Sequence, residues 1–408
     1  MTGRPGGGRR PLPPTPAADH RPAVLLPCTT VPQRLRPLWI ADAGGVERVA
    51  SAIREAGRLT LDTEADSLHS YFHKVCLIQV TAGERHFLVD PLALHEGDLA
   101  PLLSLVGDPE IPVLMHGADY DVRVLDRDYG ARVRGLRDTQ IMAQLLGEPR
   151  TGLAALLEQE LGIVLDKKHQ RADWGRRPLS REMLTYAAAD TAFLEDLAGR
   201  LGGRLEALGR WDWAEEEFRR LEEVRHNVVE HDPLAFERVK GVRKLRGTTR
   251  DRAFSLYWWR DATAQKLDVP PFRVLGNAQL LELATSAPGT LEEIAAIHGL
   301  GPRFTRRWGR EVLDLLQRPR SAPPREHRAA GPPPMTPEER RRFKALTAER
   351  DAVAAELGLE PGLLCPRAAL ERLAACSEAS RDPGSCGLSG WRRKVLGERL
   401  ARALRTLD

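Results

Sequence analysis

Arg58-Leu-Thr-Leu-Asp-Thr-Glu64 is the stretch whose reading decides the fold. It alternates, so Leu59 and Leu61 point to one side of an extended chain while Asp62 and Glu64 point together to the other. Strands disfavour Asp, and two like charges on one face repel unless a cation neutralises them. Taken alone, Asp-x-Glu equally describes an exposed strand edge, and its surroundings have to decide.

Outward from this stretch, Val75-Cys-Leu-Ile-Gln-Val-Thr81 and Arg85-His-Phe-Leu-Val-Asp90 flank Ala82-Gly83-Glu84, which is a hairpin signal. Pro112-Val-Leu-Met-His116 is almost wholly apolar and suits a central strand. Helical periodicity covers about 43–56, 118–129, 152–161 and 181–208, with Ser180 as N-cap of the last and Glu182 in its first turn. Residues 38–210 therefore read as an α/β domain with a mixed sheet. Strand signals then disappear. Residues 215–317 read as a first all-α domain, 318–334 as a Pro- and Arg-rich linker, and 335–408 as a second helical domain. Residues 1–37 read as a disordered basic tail rich in Gly and Pro.

Bulk properties exclude more than they assign. In 408 residues, 61 Lys and Arg against 57 Asp and Glu leave a net charge of +4, which forces no partner. The five cysteines form no CxxC pair, which argues against a disulfide framework or a zinc site and for a cytoplasmic protein. No apolar run is long enough to span a bilayer, and a monomer is the default.

Two further acidic positions join the first pair. Asp121 lies in His116-Gly-Ala-Asp-Tyr-Asp121, where a strand runs into a helix, the usual place for a site in an open α/β sheet. Asp119 reads as the cap of that helix. Tyr186 and Asp190, in Tyr186-Ala-Ala-Ala-Asp190, share a helix face that three alanines leave open. Each position alone also fits a cap or a solvated face. Together, carboxylates without His or Cys suit hard cations, and two Mg²⁺ or Mn²⁺ ions are a known solution for phosphodiester displacement.

In this order the residues resemble the DEDD exonucleases, in the subclass that carries Tyr. Leu77-Ile-Gln79, Asp90-Pro-Leu92, Arg137-Asp-Thr-Gln140 and Arg171-Ala-Asp-Trp-Gly-Arg-Arg-Pro-Leu179 look like ribonuclease D. The resemblance implies a ribonuclease H-like α/β core, with Asp62, Glu64, Asp121 and Asp190 holding two divalent cations and Tyr186 positioning the water. It implies a 3′→5′ exoribonuclease releasing nucleoside 5′-monophosphates, with single-stranded 3′ ends of tRNA precursors as substrate. The helical part is similar to HRDC domains, more weakly in the second segment, whose best piece is Gly390-Trp-Arg-Arg393. Lys167, Lys168, Arg171, Arg176 and Arg177 precede the Tyr186 helix and suit a phosphate backbone, although a solvated loop explains them equally. Trp174 reads as a packing anchor, and at least two of Tyr257, Trp258 and Trp259 as core. The alternatives are the same chemistry on DNA, or a nucleic-acid-binding protein without catalysis.

Overall fold

A computed structural model describes residues 29–30, 35–95, 97–166, 168–227, 232–325, 335–376, 384 and 387–406. Most of the N-terminal tail and residues 326–334 of the linker lie outside these. A short parallel pair joins β1 (Thr29–Thr30) to β8 (Ile163–Val164), which follows α5 (Leu153–Leu161). The main sheet holds β2 (Leu38–Ile40), β3 (Leu59–Ala65), β4 (Val75–Ala82), β5 (Arg85–Val89), β6 (Val113–Met115) and β7 (Leu136–Asp138) in the order β2-β5-β4-β3-β6-β7. It is mixed: β3-β4-β5 is an antiparallel meander, and β2, β6 and β7 add in parallel.

The alternation in β3 sorts its faces. Leu59 and Leu61 join Ile78 and Val80 in a core closed by α1 (Ala43–Ala56), α2 (Ala100–Val106) and α3 (Asp119–Tyr129). The opposite face lies under α6 (Arg181–Ala192), tied down where the Thr60 hydroxyl donates to the Thr191 carbonyl, 3.1 Å, and the Thr81 and Thr191 hydroxyls meet at 2.9 Å. Ser180 caps α6 as its sequence requires, accepting from the Met183 amide. The helical stretch continues as α7 (Leu194–Ala207), with a break at Phe193.

The structure departs from the sequence expectation at several elements. Thr29–Thr30, within the stretch expected as a disordered tail, forms β1. β2, β7, α2 and α4 (Thr139–Leu146) are each too short to show a period in the sequence. Asp119 does not cap α3: Ala118 occupies that position, and Asp119 pairs with Arg123 one turn on. The helix α8 (Trp211–Glu222), assigned mostly to the first helical domain, buries Ala214, Phe218 and Leu221 in the nuclease cores instead. The first half of the linker is fixed, because the Arg320 and Ala322 amides donate to Ser255 and Asp251, 2.8 Å each.

The first helical domain holds α9 (Gly247–Leu267), α10 (Pro271–Val274), α11 (Asn277–Ser286), α12 (Leu291–Ala296) and α13 (Pro302–Gln317) around its own core of Phe236, Leu256, Trp259, Leu283 and Val312. It meets the nuclease through the β3–β4 loop. Asp268 accepts from the Tyr71 and Phe72 amides, 3.0 Å each, and the Tyr71 hydroxyl donates to Asp261, 3.1 Å.

The second helical domain is α14 (Pro337–Leu357), α15 (Pro361–Leu364), α16 (Arg367–Ala375) and α17 (Gly390–Arg405). It has no core separate from the nuclease. Leu346, Leu370, Trp391 and Leu400 pack in one cluster with Leu145, Leu157, Leu201 and Phe218. Trp391 stacks on Trp213 of α8 at 4.6 Å between ring centroids, and its indole N–H donates to Glu217, 2.7 Å. Truncating so buried a ring removes both contacts. Trp391→Ala is expected to cost about 3–5 kcal/mol in denaturant unfolding, and a cost below about 1 kcal/mol means the two parts do not share a core.

Candidate active site

Three elements bring the acids together. β3 presents Asp62 and Glu64 beneath α6, whose residues Ala187, Ala188 and Ala189 are small enough for the helix to sit close on the sheet. Asp190, one turn after Tyr186, then reaches them. Carboxylate oxygens of Asp62, Glu64 and Asp190 lie within 4.8 Å of one another.

Asp121 arrives from the end of β6. The turn before α3 is built by Asp138, which accepts from the Gly117 and Ala118 amides, 3.0 and 2.7 Å, while also capping α4. Gly117 has φ +67°, a conformation that favours glycine. Buried Asp121 accepts a hydrogen bond from the Thr63 hydroxyl. Thr63 and Asp138 hold Asp121 and its turn in place, and carboxylate spacing alone does not reveal them. Alternation in β3 already placed Thr63 on the face opposite Asp62.

The electrostatics are those of crowded buried acids. Burial pushes Asp62 well above the usual carboxylate range, and Asp121, Asp190 and Glu64 push it further. Burial raises Glu64 to about 9, with Asp190 and Asp121 adding to it. Burial raises Asp190 to about 7 against a hydrogen bond from Tyr186. Asp121 rises to about 6, also by burial, with Thr63 opposing. The Tyr186 hydroxyl is itself raised, first by burial and then by Asp190, so it stays protonated as a donor. Converging oxygen ligands that resist ionisation alone fit hard divalent cations, which supply the missing positive charge. Beside them a cleft of about 310 Å³ is lined by Leu165, Asp166, His169, Tyr186, Ala189 and Asp190.

The basic residues before α6 divide. Lys167 lies outside the described residues. Lys168, Arg171 and Arg176 are exposed and form no ion pair among the described residues. Arg177 is a correction to the expected phosphate contact. Its guanidinium donates to both Asp90 oxygens, 2.8 and 2.6 Å, and to the Cys76 and Trp174 carbonyls, 2.7 Å each, so its donors fasten the loop to the sheet. Trp174, 1% exposed, is buried as a packing anchor.

Fold and site together define a 3′→5′ exonuclease with an appended helical region. Residues 37–206 match the 3′-5′ exonuclease family and residues 250–316 the HRDC domain. Ribonuclease D of Nitrobacter hamburgensis is 32% identical, over 83% of this chain and 88% of its own length. Ribonuclease D of Escherichia coli K12 is 30% identical, over 87% and 95%. The crystal structure of Escherichia coli RNase D, described as an exoribonuclease involved in structured RNA processing, superposes with a TM-score of 0.64 at 28% identity, covering 91% of this chain and 99% of that one. The chain belongs to the ribonuclease D family.

The raised acids predict a pH dependence. An acid whose folded pKa exceeds its unfolded value near 4 stabilises the fold fully below that value, and the contribution is lost as pH rises through the folded pKa. With folded values of about 6, 7 and 9 for Asp121, Asp190 and Glu64, the metal-free protein is expected to lose thermal stability steadily from about pH 5 to 9. Saturating Mg²⁺ should flatten this decline, and Asp190→Asn should reduce it. Melting curves in EDTA and in Mg²⁺ across this range check it, and a flat metal-free profile contradicts it.

Proposed function

We propose that this chain hydrolyses single-stranded RNA stepwise from the 3′ end by two-metal chemistry, releasing nucleoside 5′-monophosphates, and that 3′ ends of tRNA precursors are its substrate class. The observation that carries the reading is the convergence of Asp62, Glu64 and Asp190, with Asp121 and Tyr186 beside them. RNA as the polymer rests on the ribonuclease D relatives. In this reading Asp62, Glu64, Asp121 and Asp190 hold two Mg²⁺ or Mn²⁺ ions. Bound there, such ions lower the pKa of water and offset charge on the leaving oxygen. The Tyr186 hydroxyl, held protonated, orients the attacking water. The water oxygen bonds to phosphorus, the bond to the penultimate 3′ oxygen breaks, and that oxygen takes up a proton.

The decisive experiment is digestion of 3′- and 5′-labelled RNA, with matched DNA, in Mg²⁺, Mn²⁺ or EDTA. Shortening from the 3′ end, faster on RNA and abolished by EDTA, is expected. Preference for DNA moves the chain to a repair role, and no shortening leaves a binding protein. Asp62→Asn removes one carboxylate from the set and should lower kcat by about 10³-fold, equivalent to roughly 4 kcal/mol. Tyr186→Phe should lose about 10²-fold. Wild-type rates in either variant overturn the corresponding role.

The same reading gives the first helical domain a role in holding substrate. A cleft of about 860 Å³ on it is lined by Phe272, Arg273, Arg303, Arg306, Arg307 and Trp308 among others, none of them acidic. Phe272 is 57% exposed. At this cleft α13 begins on Gly301 with no side-chain cap and no acid in its first turn. Arginines around the positive end of a helix repel unless an anion comes between them. The cleft adjoins the nuclease, because Arg273 bonds His69 of the β3–β4 loop at 2.8 Å. Arg303→Glu with Arg307→Glu should raise KM for long RNA at unchanged kcat. It should lower the salt slope of binding by roughly 1.4, for two contacts at about 0.7 each. Dinucleotide hydrolysis should stay at the wild-type rate. An unchanged KM for long RNA rules out the contact.

A further inference from the structure

Gln79 on β4 is completely buried, and neither its amide nitrogen nor its amide oxygen has a hydrogen-bond partner. The other buried unpartnered side-chain groups among the described residues are single nitrogens of Trp174, Trp259, Arg260 and Arg342, so Gln79 stands out in having both ends of a neutral amide unmet. A buried polar group left unpaired costs about 1–3 kcal/mol. The position of this one is set by strand register. Gln79 lies opposite Asp62 across the antiparallel β3–β4 pair. Directly opposed residues share a face with Cβ atoms about 4.5–5.5 Å apart. That face is the one beneath α6, because the next residues on it are Thr81, bonded to Thr191, and Leu77, packed with Ala187.

The acids have complementary needs. Asp121 is held by the Thr63 hydroxyl and Asp190 by the Tyr186 hydroxyl. Asp62 accepts no side-chain hydrogen bond among the described residues; only the Thr63 backbone serves it. An acceptor without a side-chain donor thus faces a donor without an acceptor. Carboxylates that bind metal are normally held by such outer partners, whose loss costs about 10–100-fold in metal affinity or activity.

We propose that Gln79 is a positioning residue for Asp62. The two side chains stand opposite each other without a hydrogen bond between them; a rotation of the Gln79 amide would let its N–H donate to the Asp62 carboxylate and hold it in the orientation in which it would bind a cation. The inference rests on the two-metal reading above. It also explains a polar residue where an apolar one would cost the fold less: a leucine or methionine of similar volume fills the same space without an unpaired amide.

The test uses Gln79→Leu and Gln79→Met in the full chain, with Mn²⁺ binding followed by calorimetric titration without RNA. Metal-free melting temperature should be equal to or above wild type in at least one variant. Mn²⁺ affinity should fall about 10–100-fold. At fixed subsaturating Mn²⁺, kcat should fall with KM for RNA unchanged. Mn²⁺ affinity within about twofold of wild type in a folded variant overturns the proposal. So does a metal-free melting temperature lowered in both variants, which would make the amide a structural partner. Asp62→Asn separates the two levels of inference. If it binds Mn²⁺ like wild type, the metal centre itself is misassigned. If it loses binding while the Gln79 variants keep it, only the role of Gln79 fails.

Discussion

Three carboxylates crowd one spot under a helix and a fourth, Asp121, lies near enough to repel them, so burial and mutual repulsion oppose their charge. Left to itself, such a cluster stabilises no fold, so the rest of the domain has to hold it in place. It does so with rigid elements. Two of the acids stand on β3, which is hydrogen-bonded on both edges, to β4 and β6. A third stands on α6, tied to that strand by the Thr60 and Thr81 hydroxyls at Thr191. The fourth sits on α3, whose leading turn Asp138 organises from the neighbouring strand. None of the four rides on a free loop. A site that needs an external charge to be stable is preorganised for it.

The same economy explains the residues between the acids. Ala187, Ala188 and Ala189 contribute little apolar area, but larger side chains there would lift α6 off the sheet and separate Asp190 from Asp62. Thr63, between the two acids of β3, faces the other side and reaches Asp121. One seven-residue strand thereby supplies two carboxylates of the cluster, a support for Asp121, and two core leucines.

How far the sequence was legible follows from the range of each signal. The period of β3, the hairpin at Ala82-Gly83-Glu84 and the Ser180 cap are local, and the structure has each in place. Matching the acids to a family was also possible, since their order along the chain survives without coordinates. Partners distant in sequence were not legible. Arg177 looked like one more cation in a basic run, and only the fold shows Asp90, Cys76 and Trp174 consuming its donors. The helix α8 carries an amphipathic pattern that does not say which core it enters. The Pro-rich stretch after α13 lacks a period, yet Ser255 and Asp251 pin its first half. Gln79 is apolar in context and polar in kind, and its register opposite Asp62 is a fact of pairing.

The two helical domains are joined to the nuclease in different ways, with different consequences for the site. The second shares a core with α4, α7 and α8 that takes in Leu114 of β6 and no residue of β3, so it is joined to the nuclease by burial. The first has its own core and is held by directed polar contacts to the β3–β4 loop. That loop begins at Asp66, two residues after Glu64, and the strand register shifts between Glu64 and Ala65. It is gathered by Asp66, which accepts from Ser70 at 2.6 Å and from the Lys74 amide at 2.8 Å. A displacement of the first helical domain therefore acts on a short, tightly bonded loop that starts two residues after Glu64, whereas a displacement of the second acts through a packed core.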